Sequence, residues 1–339
     1  MDNYDRRSHM EVVPYEDGYK EKWDKFIEIN AINGTFLQSR RFLSYHKPGK
    51  FKDASIIIQS NATDVYAIIP ASECEYEGKK AFISHPGSTF GGLVINKSRN
   101  NLSDFSQIVD YFDNYLRENH FEYALLKFTP DLFSRCDNTL LEYLMRNRGY
   151  ESYIELSTYI DYSGYNRHDI LSNFNSNRRK MMRRFVRSNY DFKKIDSDEE
   201  TGTFYTLLKE NLRKHDVEPV HTLDEILNFK NFILTDIVNF FGLYENDKMI
   251  AGAMTFNFAQ RNILHIQYSA AKQDMKDNSP MSVLFYNLIA YGSDANFGYL
   301  SMGVSTEQRG SVLNFNLAQT KESYGSKFSL NRTFYRNLL

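Results

Sequence analysis

The sequence has few cysteines, little net charge and no long apolar run, and each shortage excludes a class of protein. Cys74 and Cys136 are its only cysteines, and they lack the spacing of metal ligands or of a disulfide framework, which indicates a cytoplasmic protein without a metal. A balance of 41 Lys and Arg against 43 Asp and Glu argues against a general nucleic-acid binder. Because no stretch of about 18 apolar residues occurs, we expect no transmembrane segment.

The first ten residues, MDNYDRRSHM, are not expected to contribute to the fold. They have no apolar core and so do not resemble a signal peptide; we interpret residues 1–10 as an expression tag, with the natural start near Met10. The remaining length suits two domains of roughly 150 residues. Since strand-like and helix-like segments alternate in both halves, we predict an α/β fold with domains at 11–160 and 161–339.

Several local patterns predict individual elements. Asp104–Asn119 has apolar residues at helical spacing, and Ser103 is its expected N-cap. Residues 245–248 (ENDK) lie between two strand-like runs, which indicates a hairpin. Ser279 and Pro280 are typical of a helix start. Further helices are predicted over Phe204–His215 and Val312–Tyr324.

The stretch SNRRKMMRRFVRSNY, Ser176–Tyr190, concentrates positive charge. Wound as a helix, it places Met181 and Phe185 on one face and a basic stripe on the other, formed by Arg179, Lys180, Arg183, Arg184 and Arg187. Arg178 alone falls within the apolar face, where a buried guanidinium is costly unless an anion pairs with it. We therefore expect an exposed stripe, and for Arg178 either an internal carboxylate or an anionic ligand.

A glycine-rich loop, HPGSTFGG, covers residues 85–92. Its glycines, Gly87, Gly91 and Gly92, follow a predicted strand and precede a predicted helix. Such a loop exposes backbone N–H groups that can hold a phosphate or an oxyanion. The alternative is a tight structural turn.

The segment GYLSMGVSTEQRGSVLNFNLAQTKESYGSKF, residues 298–328, carries the most specific pattern. A strand ends at Gly303, a polar loop contains Ser305 and Glu307, and a helix then carries Lys321 ahead of Tyr324. This order resembles the strand–loop–helix motif ending in "fK..fG" of the Fem peptidyltransferase group and its acetyltransferase-like relatives. The chain departs from that motif with Thr320 where an aromatic residue is usual and with a longer polar loop.

Other segments resemble the same group in the same order, namely GTFLQSRRFLSYHK, SNRRKMMRR, FFGLYENDKMIAGAMTF and IQYSAA. Together the matches span roughly residues 20–335. The resemblance implies tandem GNAT-like domains, each a mixed β-sheet flanked by helices. It also implies acyl transfer onto an amine, or less often a hydroxyl, of a cell-envelope precursor such as a nucleotide- or lipid-linked sugar. Aminoacyl-tRNA or acyl-CoA would be the donor.

The resemblance also implies site residues. Lys321 matches the functional lysine of the motif, where a cation would stabilise the oxyanion of a tetrahedral intermediate; favourable placement at a helix C-terminus is the alternative. Acceptor phosphates would contact Gln38 and Lys47 in the first domain. In the second domain, the segment ENLRKHDVEP offers three adjacent basic residues that would bind diphosphate, the last of which would accept a proton from the amine; they are Arg213, Lys214 and His215. The alternative is that basic residues at a helix end are placed there by the helix dipole.

One predicted strand carries three more candidates, His265, Gln267 and Tyr268. Strand alternation puts His265 and Gln267 on one face and Tyr268 on the other. We assign Tyr268 to catalysis and His265 to the substrate side, with a core histidine as the alternative. Ser305 and Glu307 are also expected to contact substrate.

The donor and the class of protein both remain open from the sequence. GNAT enzymes hold the CoA pyrophosphate on a glycine-containing loop, whereas the corresponding Ala271–Ser279 has no glycine. A small-metabolite acyltransferase that uses acyl-CoA is one alternative. Another is a non-catalytic module whose basic helix binds tRNA, another anionic polymer or, as a peripheral contact, a membrane surface.

Overall fold

The computed structural model describes residues 10–46, 49–61, 63–185, 190–214, 216–272 and 279–338. It divides the chain into unit 1, Met1–Ile154 with Leu330–Leu339, and unit 2, Glu155–Ser329. Each unit combines a mixed sheet with helices, which confirms the predicted fold class. The last strand of the chain returns to unit 1, because its end pairs there.

The described strands are β1 (Glu11–Pro14), β2 (Lys52–Asp53), β3 (Ile56–Asn61), β4 (Asp64–Ile69), β5 (Ala71–Tyr76), β6 (Lys79–Ser84), β7 (Val94–Ile95), β8 (Tyr123–Lys127), β9 (Glu151–Asp161), β10 (Asp191–Lys194), β11 (Val238–Glu245), β12 (Lys248–Phe258), β13 (Ile263–Ala271), β14 (Tyr299–Val304), β15 (Thr306–Glu307), β16 (Val312–Leu313) and β17 (Lys327–Asn337). The described α-helices are α1 (Lys20–Lys25), α2 (Arg40–Leu43), α3 (Leu102–Glu118), α4 (Thr139–Asn147), α5 (Ser176–Phe185), α6 (Asp198–Arg213), α7 (Leu223–Asn228), α8 (Pro280–Asp294) and α9 (Phe315–Glu322). None of these helices is long and apolar enough to cross a membrane.

Unit 1 contains an antiparallel sheet in the order β1-β3-β4-β7 and a second sheet in the order β2-β5-β6-β8-β17. The β6–β8 pair is parallel and its neighbours are antiparallel. Helix α3 buries its apolar stripe in this core, as its spacing predicts. Its N-cap is Asn101, whose side chain accepts from Asp104 N at 3.0 Å, so the prediction of Ser103 was wrong. The helix begins at Leu102, which already places Ser103 inside it.

Unit 2 has the sheet order β10-β11-β12-β13-β14-β9, in which β13 and β14 run parallel. The predicted hairpin is present, and Asn246 and Asp247 form its turn with positive φ. Neighbouring strand residues then contact helices on opposite faces. Phe240 packs against Phe204 of α6, and Phe241 against Tyr291 of α8.

Two helix starts in unit 2 differ from the prediction because a polar cap sets each of them. Helix α6 begins at Asp198, ahead of its apolar run, and Ser197 caps it. The predicted helix from Val312 instead begins at Phe315, where the Asn314 side chain accepts from Leu317 N at 3.1 Å. The preceding residues pair as β15 and β16. Helix α8 starts at Pro280 as predicted, although Ser279 makes no side-chain cap.

Candidate functional site

In unit 2 the parallel strands β13 and β14 separate part-way along their length. They pair over three positions, ending at His265 opposite Ser301. Beyond that pair, β13 continues to Ala271 and β14 to Val304, both fully within the described residues, without pairing to each other. The separation opens the sheet at its centre, where backbone groups are released from the ladder and become available for other contacts.

A β-bulge lies on β13 next to this opening. Thr255 faces Ile266 and Met254 faces Tyr268, which leaves Gln267 as the extra residue. Strict alternation is lost at a bulge, so the prediction that Tyr268 stands apart from His265 and Gln267 was wrong. The Gln267 side chain lies close enough to its predicted neighbours, His265 and Tyr268, to influence the pKa of each.

A chain of polar side chains therefore crosses the opening. His265 Nδ1 lies 3.0 Å from Ser301 Oγ, and the Tyr268 hydroxyl lies 2.8 Å from His221 Nδ1. Burial lowers the pKa of His265 to about 4 and raises the pKa of Tyr268 to about 12. Both side chains are accordingly neutral near pH 7, and the network can pass a proton along without carrying a fixed charge.

Lys321 on α9 reaches the end of β14. Its Nζ donates to Val304 O at 2.7 Å and to Gly303 O at 3.0 Å. Only 5% of the residue is exposed, and burial lowers the pKa of Lys321 to about 8. The positive charge of Lys321 also helps to lower the pKa of His265, which places the two groups near each other. Lys321 also lies in the last turn of α9, so the favourable placement at a helix C-terminus holds for it as well.

The turn that follows β14 fixes the carbonyls that hold Lys321. Gly303 has a φ of +71°, a conformation that side chains with a Cβ rarely adopt. Ser305 N donates to Leu156 O at 2.7 Å, and Ser305 O accepts from Asn314 N at 3.0 Å. The Ser305 hydroxyl is buried and has no hydrogen-bond partner among the described residues. Glu307 is exposed and accepts from Asn314 Nδ2 at 2.9 Å, so it supports the hairpin.

Arg178 is half-buried as expected, but its partners are neutral. Its Nε donates to Ser323 Oγ and its Nη1 to Ser282 Oγ, each at 2.9 Å, and the guanidinium lies over the Tyr324 ring. Within the described part of the chain, no carboxylate makes an ion pair with Arg178, which contradicts one of its two predicted partners. The anionic ligand stays a prediction.

The basic stripe is only partly a solvated face. Lys180, Arg183 and Arg184 are exposed. Arg179 is not, because its guanidinium donates to three backbone carbonyls of the preceding turn, those of Leu171, Ser172 and Phe174. The expectation for Arg179 was therefore wrong, and Arg187 lies outside the described residues.

The second-domain phosphate candidates lie on the surface at the end of α6. Arg213 Nε is 3.6 Å from Glu218 Oε1, and both side chains are well exposed. Lys214 is exposed as well, and His215 lies outside the described residues. The structure does not join Arg213 or Lys214 to the polar chain at the strand opening.

In unit 1 the glycine-rich loop uses its amides internally. Gly91 N donates to Lys127 O at 2.8 Å, Gly92 N to Ser84 Oγ at 3.0 Å, and Gly87 N to His85 Nδ1 at 3.3 Å. The loop leads into β7 and not into a helix. The expectation of exposed amides ahead of a helix was therefore wrong, and the loop has the geometry of a structural turn.

Gln38 supports the same turn. It is fully buried, and its Nε2 donates to Gly91 O at 3.0 Å and to Thr129 Oγ1 at 2.7 Å. Its Oε1 accepts from the Thr35 amide at 2.6 Å. The amide group is thus fully occupied by the protein, which leaves no donor for an acceptor phosphate. Lys47 lies outside the described residues.

A cleft of about 450 Å³ lies elsewhere in unit 1, and Arg40, His46, Phe51, Asp53 and His85 are among its lining residues. Arg40 pairs with Asp53 and lies over the rings of Tyr15 and Trp23. Burial lowers the pKa of His85 to about 4. The cleft thus combines a buried cation with ring walls.

Several residues of these sites carry no local sequence pattern. His221 and Ser301 enter the unit 2 network through contacts 36 or more residues apart in sequence. Arg40 lies within the segment GTFLQSRRFLSYHK, but its ring contacts bring together separate segments. The position of His221 next to a capping box, in HTLDE, is the one weak indication for it in the sequence. In the described ranges no three His, Cys, Asp or Glu side chains are grouped as metal ligands.

No family model and no curated protein sequence matches this chain. Solved structures match it over nearly its full length. FemX is 11% identical with a TM-score of 0.68, covering 96% of each chain. L-PGS from Bacillus licheniformis is 13% identical with a TM-score of 0.61, covering 94% of this chain and 91% of that one.

A tandem GNAT protein from the clavulanic acid biosynthesis pathway covers 98% of this chain and 99% of its own, at 8% identity and a TM-score of 0.57. These neighbours define the class: the chain has a tandem GNAT-like fold of the kind found in Fem-like acyltransferases. The predicted resemblance is thereby confirmed for the fold. Identities this low show the fold alone, so the activity must be argued from the site.

Proposed function

We propose that this protein transfers an acyl or aminoacyl group onto an amine, or a hydroxyl, of a cell-envelope or sugar-linked precursor. The observation that carries the proposal is Lys321, a buried ammonium held by two carbonyls where β13 and β14 separate. The chain shares its fold with FemX and with L-PGS, and this likeness supports a transfer reaction of the proposed kind.

In the proposed reaction the amine forms a C–N bond to the acyl carbon, and negative charge develops on the carbonyl oxygen. Two N–H groups of the Lys321 ammonium serve Gly303 and Val304. The third is available for the oxyanion. A preorganised donor in a site shielded from water contributes roughly 10²–10³ in rate. Collapse of the intermediate then breaks the ester C–O bond of an aminoacyl-tRNA or the thioester C–S bond of an acyl-CoA, and the released oxygen or sulfur takes up the proton that the amine loses.

The attacking amine must lose a proton during this sequence. We assign its relay to Tyr268, whose hydroxyl is hydrogen-bonded to His221 Nδ1 at 2.8 Å. A neutral tyrosine can accept a proton at oxygen while passing its own to the imidazole, so no charged tyrosinate is needed. His265, with a pKa lowered to about 4, is too weak a base for this role near pH 7.

A donor and acceptor screen tests the proposal. Melting temperatures are measured with acetyl-CoA, aminoacyl-tRNA and UDP-sugars, followed by mass spectrometry of acceptor mixtures for a covalent product. A ligand present at 100 times its Kd stabilises the folded state by about 2.7 kcal/mol, which is a shift of several degrees. We expect one donor class to stabilise the protein and to yield product.

The screen also separates this proposal from a non-catalytic binding module, which the exposed Lys180, Arg183 and Arg184 favour. A binding module would be stabilised by an anionic polymer and would form no covalent product with any donor. Lys248 provides a matched control, because it is exposed at the hairpin turn of β11 and β12. Lys248→Met is expected to transfer like the wild type.

A further inference from the structure

Exposed apolar side chains are concentrated in one short segment of unit 2. Within residues 312–317, the exposed fractions are 40% for Val312, 47% for Leu313, 62% for Phe315 and 40% for Leu317. We call these four residues the apolar patch. Single exposed apolar residues are common on protein surfaces, whereas four within six positions are an unusual concentration of exposed apolar area.

The local structure explains why the patch stays uncovered. Val312 and Leu313 belong to β16, which pairs with β15 in a sheet of these two strands. Phe315 and Leu317 lie in the first turn of α9, whereas the buried face of that helix is formed by Ala318 and Lys321. At 100° per residue, Phe315 and Leu317 flank that buried face on its two sides, and both side chains extend to solvent next to β16.

The apolar patch adjoins the candidate site. The Asn314 amide, inside the patch segment, donates to Ser305 O at 3.0 Å. One residue earlier, the carbonyl of Val304 holds the Lys321 ammonium, and Val304 itself is 38% exposed. A phase that covered the patch would therefore meet the protein beside the candidate catalytic lysine.

Positive charge lies on a neighbouring helix of the same unit. Helix α5 has five basic residues and no acidic residue among its ten. Its start is joined to the end of α9, since Asn175 N donates to Ser323 O at 3.0 Å and Arg178 Nε to Ser323 Oγ at 2.9 Å. Helix α9 is eight residues long, so about 12 Å separate that junction from Phe315.

We propose that the apolar patch inserts into the interfacial region of an anionic lipid bilayer, with α5 supplying electrostatic attraction to the head groups. Apolar side chains beside basic ones are the composition of surfaces that bind such bilayers. On the proposed function, this contact would bring Lys321 to an acceptor held at a membrane surface. The membrane contact itself does not depend on catalysis.

Vesicle sedimentation tests the contact without any substrate. The full chain is incubated with vesicles of phosphatidylcholine alone and with vesicles that also contain phosphatidylglycerol. We expect binding to the anionic vesicles, with a marked decrease as salt is raised. The double variant Leu313→Ser/Phe315→Ser should lower that binding ten- to a hundredfold, roughly the effect of removing one or two buried apolar side chains from the bilayer.

Phe232 gives a matched control, because it is in unit 2 and is even more exposed, at 78%. Phe232→Ser should bind vesicles like the wild type. Replacing Lys180, Arg183 and Arg184 with Gln should reduce the preference for phosphatidylglycerol by about fivefold per residue. Melting temperatures of all variants establish that the fold is retained.

Three results would overturn the proposal. They are failure of the wild type to bind either vesicle, unchanged binding by the double variant, and an equal loss in Phe232→Ser. If sedimentation velocity shows a dimer that the double variant abolishes, with no vesicle binding, the patch is instead an interface between two copies. Vesicle binding without any covalent product in the donor screen would overturn the proposed function and leave the membrane contact standing.

Discussion

Among the described residues, each unit buries one lysine or arginine side chain, and the two cations are compensated differently. Arg40 in unit 1 is 6% exposed, pairs with the Asp53 carboxylate and lies 3.3 Å from the centre of the Tyr15 ring and 4.3 Å from that of Trp23. Lys321 in unit 2 is 5% exposed and contacts two backbone carbonyls. No carboxylate of the described residues forms an ion pair with it.

We expect this difference to separate a cation that holds structure from one that, on the proposed function, holds a reaction intermediate. A carboxylate neutralises a guanidinium, and flat rings add favourable contact with its face. Carbonyl dipoles compensate an ammonium only in part, so burial lowers the pKa of Lys321 from 10.5 to about 8. That shift corresponds to a cost on the order of 3 kcal/mol for keeping the charge. A developing oxyanion would supply the missing counter-charge.

Replacing Lys321 should distinguish most clearly between a structural and a catalytic role for a buried cation. Lys321→Met is expected to lower the transfer rate by roughly 10²–10³. The melting temperature should stay near that of the wild type, because the loss of two hydrogen bonds is offset by removal of a desolvated charge. Rates are measured with the donor found in the screen, alongside the Lys248→Met control. A rate close to normal would assign Lys321 to structure, as for Arg40.

The titration of Lys321 tests directly whether the two carbonyls compensate its positive charge only in part. With a pKa of about 8, the ammonium is mostly charged at pH 7 and loses its proton as pH rises further. Between about 8 and 10.5 the unfolded chain binds more protons at this residue, so the free energy of unfolding should rise with pH. ¹⁵N-lysine NMR measures the midpoint, with Lys321→Met to identify the resonance. A midpoint above 10 would contradict the burial argument.

In each unit one histidine, His85 or His265, has a lowered pKa whose effect on stability should appear in acid. Burial lowers the pKa of both His85 and His265 from 6.5 to about 4. As pH falls through this window, the unfolded chain gains protons that the folded chain does not, so stability decreases by up to about 3 kcal/mol for each. Urea unfolding at pH 7 and pH 4.5 should show a smaller decrease in His85→Gln and His265→Gln. Exposed His168 provides the control variant His168→Gln.

Replacing Arg40 should lower the stability of the fold, whereas replacing Lys321 should lower the transfer rate. The effect of the Arg40 replacement should be the smaller of the two. Arg40→Met is expected to lower the free energy of unfolding by about 2 kcal/mol, since it removes contacts with Tyr15, Trp23 and Asp53. Its neighbour Arg41 is exposed, and Arg41→Met should change stability by less than about 0.5 kcal/mol. Urea unfolding measures both. Equal effects at the two positions would show that the ring contacts contribute little.

Local patterns predicted the elements but not every boundary. The spacing of apolar residues predicted α3, and the turn residues 245–248 predicted the hairpin of β11 and β12. These features depend on a few neighbouring residues, so local rules suffice. Asn101, and not Ser103, is the N-cap of α3. Both residues have cap-forming side chains and lie two positions apart, so the local pattern does not choose between them. Such boundaries differ by a residue or two even where the element is right.

The amino-acid sequence by itself determined the alternation of strands and helices, the concentration of charge in α5 and the order of motifs that leads to Lys321. These follow from side-chain periodicity and from residues close together in the chain. Only the tertiary structure decided that Lys321 is buried on two carbonyls, that the amides of Gly91 and Gly92 are occupied, and that a bulge puts His265 and Tyr268 on one face of β13. Each of these depends on which distant backbone group is left unpaired, and a linear pattern does not encode that.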